Sequence, residues 1–246
     1  MKNKEKVGVN MVLTNKTSEQ DVHDLFTRVA SKYDVMNNFV SLGVQNKWRR
    51  IFMTKLNLKP TDRCLDLCCG TGDSTIALAK KAKYAVGLDF NEKMMDYAKP
   101  KIKKAHLENK MSLVNGDAMN LPFENDSFDC VTICFGLRNV PDAGKTAAEA
   151  YRVLKKGGKF AVLEMSQPTN PIIKIGWHAY FKIFPYFAKL TQNKVADYQY
   201  LSKTSKAFLS AKQLKSLLEQ KGFKNVSVTK LTWGAGAIHV GIKEGD

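Results

Sequence analysis

The stretch Leu65-Asp66-Leu67-Cys68-Cys69-Gly70-Thr71-Gly72-Asp73 decides the fold of this 246-residue chain. It begins inside an apolar run, residues 63–67, that has the composition of a buried strand, and residues 74–81 then predict a helix. Between them, Gly70 and Gly72 allow a sharp reversal and let the backbone approach a ligand where a Cβ would collide. A strand, a glycine turn and a helix in this order predict a binding site made largely of backbone.

The residues beside the two glycines indicate which ligand the turn accepts. A dinucleotide-binding fingerprint needs a third glycine, but Thr75 occupies that position here. Asp66 and Asp73 flank the turn, and their carboxylates would repel a pyrophosphate but accept hydrogen bonds from an ammonium group or hydroxyls. S-adenosylmethionine carries such groups, and we expect Thr71 and the two glycine amides to hold its amino-acid end. Taken alone, the run is also compatible with an ordinary loop between a strand and a helix.

Later strand ends supply further carboxylates. The second predicted strand, residues 84–89, ends in Asp89, which stands where doubly wound folds place an acid for ribose hydroxyls. The third predicted strand is followed by Asp117 and Ala118, and we expect Asp117 to bind an adenine amino group. A single aspartate after a strand is more often a turn residue or a helix cap, but acids at three successive strand ends favour an S-adenosylmethionine pocket. Cys134, at the end of the fourth predicted strand, is expected to lie at the edge of this pocket.

These sites resemble those of class I S-adenosylmethionine-dependent methyltransferases over about residues 60–165. Three further segments narrow the resemblance: Tyr33-Asp34-Val35-Met36-Asn37-Asn38-Phe39-Val40-Ser41 with Trp48, then Phe135-Gly136-Leu137-Arg138-Asn139-Val140, then Arg152-Val153-Leu154-Lys155-Lys156-Gly157-Gly158-Lys159-Phe160 through Leu163-Glu164. With them, the chain from about residue 21 to its end is similar to the demethylmenaquinone and 2-polyprenyl-benzoquinol C-methyltransferases. It departs from that family at Gln45, usually His, and at Lys156, usually Pro. Because a glutamine amide is neither an acid nor a base near neutral pH, we assign position 45 no catalytic part.

The resemblance implies a reaction and a cofactor. It implies S-adenosylmethionine-dependent C-methylation of demethylmenaquinol to menaquinol, with methylation of a polyprenyl-benzoquinol as the alternative. A reduced quinol is an electron-rich ring, and its unsubstituted carbon beside a hydroxyl can attack the methyl group in line. The protein then has to hold the ring, exclude water and stabilise the phenolate, and no metal is expected.

Four residues are candidates for the substrate site. Arg138 and Asn139, in the loop after the fourth predicted strand, are expected to bind the developing oxyanion, and Tyr33 and Asp34 lie in the proposed lid. Arg138, Asn139 and Tyr33 are the catalytic candidates. Arg138 is equally compatible with a salt-bridged or surface arginine, and Tyr33 with a packed core tyrosine. Histidine is the most common general base in enzymes, which makes His178 a candidate, but a lone histidine on an apolar helix is usually structural, so the base stays unassigned.

The chain length allows one substantial α/β core, and no linker-like segment interrupts it. We expect residues 1–20 to form a flexible N-terminal arm and residues 21–246 a single domain, with a helical lid at 21–58 and a substrate-covering helical insertion at 166–205. The predicted fold is a Rossmann-like, doubly wound α/β domain with a seven-stranded mixed sheet. Its predicted strands are 63–67, 84–89, 111–114, 129–135, 159–164, 226–232 and 237–242, and its predicted helices are 22–30, 48–56, 74–81, 144–154 and 211–220.

The positive net charge of the chain predicts an anionic partner. The chain has 39 Lys and Arg against 23 Asp and Glu, a formal charge of +16, which suits a nucleic acid or an anionic membrane. Lysines at 80–83 and 99–104 lack the interleaved aromatics of a nucleic-acid groove and are typical of solvated helix faces. We therefore expect no nucleic-acid partner, with an RNA-binding or RNA-modifying methyltransferase-fold protein as the alternative.

The segment 172–188 is rich in isoleucines and aromatics, with Lys174, His178 and Lys182 at every fourth position. As a helix it would carry one polar stripe on an apolar cylinder, which suits either core cover or the membrane interface. It is too short and too charged to span a bilayer. We expect the protein to contact the inner face of an anionic membrane peripherally. A prenylated quinol is the expected lipophilic partner. A homodimer is also compatible with the sequence.

The cysteines and the first residues bear on the compartment. Five cysteines, an odd number without paired C-x-x-C spacing, support neither a disulfide framework nor a zinc site. No apolar run follows the basic start Met1-Lys2-Asn3-Lys4, so we predict no signal peptide. A cytoplasmic location is expected.

Overall fold

The computed structural model describes residues 14–41, 43–183 and 195–245. At its centre lies a seven-stranded sheet in the order β3-β2-β1-β4-β5-β7-β6, in which β7 is antiparallel to both neighbours and the other pairs are parallel. The predicted Rossmann-like α/β fold with a seven-stranded sheet is confirmed. The strands are β1 Arg63–Leu67, β2 Tyr84–Asp89, β3 Met111–Asn115, β4 Phe128–Cys134, β5 Leu154–Met165, β6 Lys224–Leu231 and β7 Gly236–Ile242.

Helices cover both faces of the sheet. The described helices are α1 Glu19–Val29, α2 Tyr33–Val40, α3 Val44–Lys55, α4 Asp73–Ala79, α5 Glu92–Lys104, α6 Ala143–Val153, α7 Pro171–Ile183, α8 Val195–Ala207 and α9 Ala211–Gln220. Helices α1, α2 and α3 form the lid. None of the helices in the described part of the chain combines the length and apolar character that a bilayer crossing requires.

The core divides into one apolar cluster on each face, because successive strand residues point to opposite sides. Leu65 and Leu67 of β1 point into the cluster under α6 and α9, whereas Cys64 points into the cluster under α3, α4 and α5. A third cluster joins α1 to α5 through Phe26 and Met94. The lid is therefore packed directly on the helix that follows β2.

Two parts of the chain differ from the prediction. Helix α5 was expected only as a charged solvated face, because lysines dominate it and Pro100 lies inside it; its buried Met94, Met95, Ala98 and Ile102 hold it on the core. Of the predicted arm, residues 1–13 lie outside the described residues. Asn15 is buried, and α1 begins at Glu19 with Ser18 as its N-cap, so the lid starts earlier than residue 21.

Candidate active site

A cavity with about 840 Å³ of empty space, part of it open to solvent, lies at the carboxyl ends of β1, β2, β3 and β4, beneath α1. We call it the strand-end cavity. Carboxyl ends of parallel strands are where open α/β sheets bind ligands, because the helices on either side diverge there. Seven of the candidate site residues from the sequence line this cavity: Tyr33, Gly70, Asp89, Asp117, Ala118, Cys134 and Asn139.

The carboxylate of Asp89 lies in the strand-end cavity and is held by two backbone amides. Its Oδ2 accepts a hydrogen bond from the Gly70 amide at 2.8 Å, and its Oδ1 accepts one from the Asn91 amide at 2.9 Å. Burial raises the pKa of Asp89 to about 6, although both amides oppose the shift. Since a carboxylate has about four lone-pair sites, it can still accept from hydroxyl donors of a ligand.

The loops after β1 and β4 meet tightly beside this cavity. Cys68 and Phe135, which directly follow the two strands, both have left-handed backbone angles, with φ of 53° and 60°. A Cβ added to Gly136 would lie 2.4 Å from the Cβ of Cys68. Glycine is therefore required at 136 for the two loops to approach, and this explains why Phe135-Gly136 belongs to the quoted motif.

A second cavity, a cleft of about 1600 Å³ open to solvent, lies between the lid and helices α7 and α8. We call it the lid cleft. Its walls are largely apolar and include Met36, Trp48, Ile173 and Trp177. Tyr33 and Phe135 line both the lid cleft and the strand-end cavity. The two cavities therefore meet at these two aromatic side chains.

Arg138 lines the lid cleft but is only 8% exposed. Its Nη1 lies 2.5 Å from Oε1 of Glu164 and donates to the Phe135 carbonyl at 2.8 Å. Glu164 also accepts from the Arg138 and Met165 amides, at 3.2 and 2.7 Å. Arg138 is thus a buried, ion-paired arginine fixed at the wall of the cleft, and its Nε has no hydrogen-bond partner among the described residues.

Comparison with known proteins identifies the family. The sequence model of the ubiE/COQ5 methyltransferase family matches residues 14–243. The chain belongs to this family. It is 60% identical over 239 residues to a demethylmenaquinone methyltransferase of Lactobacillus johnsonii, covering 96% of this chain and 98% of the relative. A demethylmenaquinone methyltransferase of Lactiplantibacillus plantarum is 43% identical, over 91% of this chain and 96% of the relative.

Solved structures agree on the fold. The methyltransferase superposes on a crystal structure titled a putative S-adenosyl-L-methionine-dependent methyltransferase from Methanococcus maripaludis with a TM-score of 0.65. The two chains are 19% identical, and the match covers 94% of this chain and 97% of the other. At this identity the likeness establishes the class I methyltransferase fold and nothing about the substrate.

Asp66 is placed differently from the prediction. It lies in β1 beneath the turn, where it is 1% exposed and accepts hydrogen bonds from Thr75 and Thr132 hydroxyls at 2.7 and 2.8 Å. Burial raises the pKa of Asp66 to about 6. Its side chain joins β1 to α4 and β4 and does not form part of the described cavity wall, because its oxygens point into the sheet layer toward these two threonines.

Asp34 and Thr71 also lie outside the described walls of both cavities. Thr71 Oγ1 donates to Asp34 Oδ1 at 2.6 Å, and Lys101 Nζ contacts Asp34 Oδ2 at 2.7 Å. Lys101 also contacts Asp73 Oδ1 at 2.5 Å, and Arg49 reaches Asp73 Oδ2 at 3.4 Å. These five residues form a lid network that fastens α2 and α3 to the glycine turn and to α5. In the structure, the predicted substrate residue Asp34 has this role instead.

Tyr33 lines both cavities, and Asn139 lines the strand-end cavity. Burial raises the pKa of Tyr33, although the nearby charge of Arg138 opposes the shift, so its phenol stays protonated at neutral pH. Asn139 donates to the Phe135 carbonyl at 3.3 Å and accepts from the Tyr200 hydroxyl at 3.3 Å. Tyr200, on α8, therefore holds the amide that the sequence assigned to the substrate.

Helix α7 carries His178, which the sequence analysis left unassigned as a base, and Trp177. His178 is exposed on α7 beside the Trp177 ring and does not line the lid cleft, so the geometry does not support it as a base. Trp177 is buried in the cleft wall. Ser41 and Gln45 line the lid cleft, and Glu164 lies beside it, paired with Arg138. The sequence analysis named all three without a binding role, because only the fold brings them to these positions.

Proposed function

We propose that this methyltransferase transfers the methyl group of S-adenosylmethionine to the unsubstituted ring carbon of demethylmenaquinol and produces menaquinol. The observation that carries the proposal is the meeting of the strand-end cavity and the lid cleft at Tyr33 and Phe135. The two relatives described above, which are 60% and 43% identical to this chain, are named demethylmenaquinone methyltransferase. A donor in one cavity and an acceptor in the other would face each other at this junction.

The strand-end cavity fits the proposed cofactor. The free acceptor sites of Asp89 suit two ribose hydroxyls, and Asp117 suits an exocyclic amino group. Leu88, Phe90 and Val140 supply apolar walls for a base. When bound, S-adenosylmethionine supplies an electrophilic methyl group on a positively charged sulfonium.

The lid cleft fits a quinol. Its tryptophans and isoleucine exclude water from the ring, and the Arg138 guanidinium provides a fixed positive charge for a phenolate oxygen. Because Glu164 and the Phe135 carbonyl already hold Arg138, its donors need little reorganisation when charge develops. The protonated Tyr33 phenol can donate a second hydrogen bond to the same oxygen.

The mouth of the lid cleft favours a lipid substrate over RNA, and we propose that it rests on an anionic membrane. Ile172 and Trp233, which line the cleft, are 78% and 75% exposed, and Ile175 on the same helix as Ile172 is 71% exposed. Lys174 and Lys182 are exposed on that helix as well. Apolar side chains that enter the headgroup region, together with lysines that contact anionic lipids, are typical of peripheral membrane helices. An RNA-reading surface would instead present a basic groove with stacking aromatics.

A methyl-transfer assay tests the proposed function. Purified protein, labelled S-adenosylmethionine and chemically reduced demethylmenaquinol should yield labelled menaquinol, and Asp89→Ala should lower the yield sharply. A demethylated polyprenyl-benzoquinol in a parallel reaction distinguishes the two quinol classes, and an RNA arm tests the remaining alternative. Absence of label in every quinol contradicts the proposal. Quinone extraction from cells without the protein should show accumulated demethylmenaquinone.

A further inference from the structure

We propose that Ser41 and Gln45 form a second oxygen-binding site in the lid cleft, which holds the ring hydroxyl farther from the transferred methyl group. The inference rests on the proposed function, because it assumes a 1,4-quinol in the cleft. Tyr33 and Arg138 lie beside the oxygen next to the reacting carbon. Ser41 and Gln45 are then specificity residues for the opposite oxygen of the same ring.

A polar stripe leads from the cavity junction to this site. Tyr33, Asn37 and Ser41 follow one another at intervals of four, and all three line the lid cleft. Successive members lie about 6 Å apart along a helix axis, and the Ser41 amide continues the helical bonding to the Asn37 carbonyl at 3.0 Å. Because Tyr33 lies at the junction with the strand-end cavity, Ser41 marks the end of the stripe that is remote from methyl transfer.

The hydrogen bonding of these side chains leaves capacity at the remote end. The Asn37 side chain is hydrogen-bonded to Tyr33. The Ser41 hydroxyl is buried and has no partner within the described structure. Buried polar atoms nearly always have a partner, so an unsatisfied hydroxyl in a ligand cleft indicates a ligand group.

Gln45, on α3, lies in the same part of the cleft wall and is only 9% exposed. Its Nε2 makes one long hydrogen bond, 3.3 Å to Oδ1 of Asn38, and that oxygen already accepts from Asn46 at 2.9 Å. Within the described residues, the carbonyl oxygen of Gln45 accepts no hydrogen bond. It is therefore free to accept one from a ligand hydroxyl.

The chemistry of this pair suits a quinol better than a quinone. A ring hydroxyl can donate to the Gln45 carbonyl oxygen and accept from the Ser41 hydroxyl, whereas a quinone oxygen can only accept. Gln45 also carries no titrating proton, so this recognition does not depend on pH near neutrality. The site would favour the reduced ring, which is the form that can attack the methyl group.

Two substrates with the same short prenyl chain test the assignment. In 2-prenyl-1,4-naphthoquinol both oxygens are present, whereas 3-prenyl-1-naphthol keeps the hydroxyl beside the reacting carbon and lacks the second. We expect Gln45→Leu and Ser41→Ala each to lower kcat/KM for the quinol by about tenfold, the value of one hydrogen bond. Neither variant should change kcat/KM for the naphthol or the KM for S-adenosylmethionine.

Two controls separate recognition from structure. Asn46→Ala removes the other donor to Asn38 from an exposed position and should leave both substrates unaffected, and Gln45→His should recover most of the quinol activity because imidazole also forms hydrogen bonds. Equal losses on both substrates, or no loss on the quinol, overturn the assignment alone. Wild-type protein that methylates neither compound overturns the proposed function, and the assignment with it.

Discussion

The Arg138 guanidinium lies 2.5 Å from the Glu164 carboxylate, and both side chains are buried beside the lid cleft. Glu164 is held independently by two backbone amides, one from the loop after β4 and one from the end of β5. The carboxylate therefore fixes the loop and the guanidinium together. An ion pair in this position orients a positive charge toward the cleft while the fold holds its counter-ion.

The first prediction concerns this pair. Arg138→Lys keeps a positive charge near Glu164 but loses the guanidinium fork, so we expect folding to persist and kcat to fall by about 10²–10³, the usual loss for one oxyanion donor. Arg138→Ala should also lower the free energy of unfolding by about 3–5 kcal/mol, because it leaves a buried carboxylate without its counter-ion. Urea unfolding and turnover measure the two effects separately. A Lys variant with wild-type kcat contradicts the proposed role.

The second prediction is a pH dependence of cofactor binding. Asp89 must be ionised to accept two ribose hydroxyls, and its pKa is raised to about 6. The deprotonated form binds, so the dissociation constant for S-adenosylmethionine should be flat above this pH and rise about tenfold per unit below it. Calorimetry between pH 5 and 8 would show this.

Asp66 supplies the matched control, because burial raises its pKa to about 6 as well, yet its oxygens are bonded to threonines away from the cavity. Asp66→Asn should keep the pH dependence of binding, whereas Asp89→Asn should bind weakly at every pH. Loss of the dependence in Asp66→Asn would show that the wrong carboxylate has been assigned.

The third prediction concerns the lid network. Lys101→Met removes both ion pairs to Asp34 and Asp73, whose partly exposed side chains limit the global effect to about 1 kcal/mol or less. The local effect should be larger: hydrogen exchange in α2 should speed up, and the KM for S-adenosylmethionine should rise several-fold. Lys99→Met breaks only an exposed pair with Asp96 and should change neither quantity. Unchanged hydrogen exchange in α2 of Lys101→Met would show that the lid network does not hold this helix.

The fourth prediction concerns the membrane. The double variant Ile175→Ser with Ile183→Ser replaces two exposed isoleucines, 71% and 58% accessible, that do not line the described cleft. Burying one such side chain in the membrane contributes about 1.5–3 kcal/mol to the binding free energy. Binding of the double variant to vesicles with anionic lipid should therefore weaken at least tenfold. Turnover of a short-chain quinol dissolved in detergent should stay unchanged. If wild-type protein does not bind vesicles with anionic lipid, the proposed membrane contact is refuted.

Strands β1 and β2 were predicted to the residue, and α9 with them. Each is a continuous apolar or strongly periodic run with turn residues on both sides, so local sequence contains the whole signal. Helices α2, α5 and α8 lacked such a signal. Helix α2 is short, α5 has its apolar residues interrupted by charges and Pro100, and α8 is mainly polar. Packing on the lid and the core therefore decides their conformation.

The sequence by itself determined the sheet, the glycine turn and the strand-end carboxylates Asp89 and Asp117, because these depend on local composition and on the fixed geometry of parallel strands. Only the tertiary structure decided which polar groups face a ligand. Asp66 and Asp34 are hydrogen-bonded or ion-paired to threonines and a lysine, whereas Ser41 and Gln45 line the lid cleft and Glu164 holds Arg138 at its wall. A side chain's partner is set by which elements pack together, and that information is distributed over the whole chain.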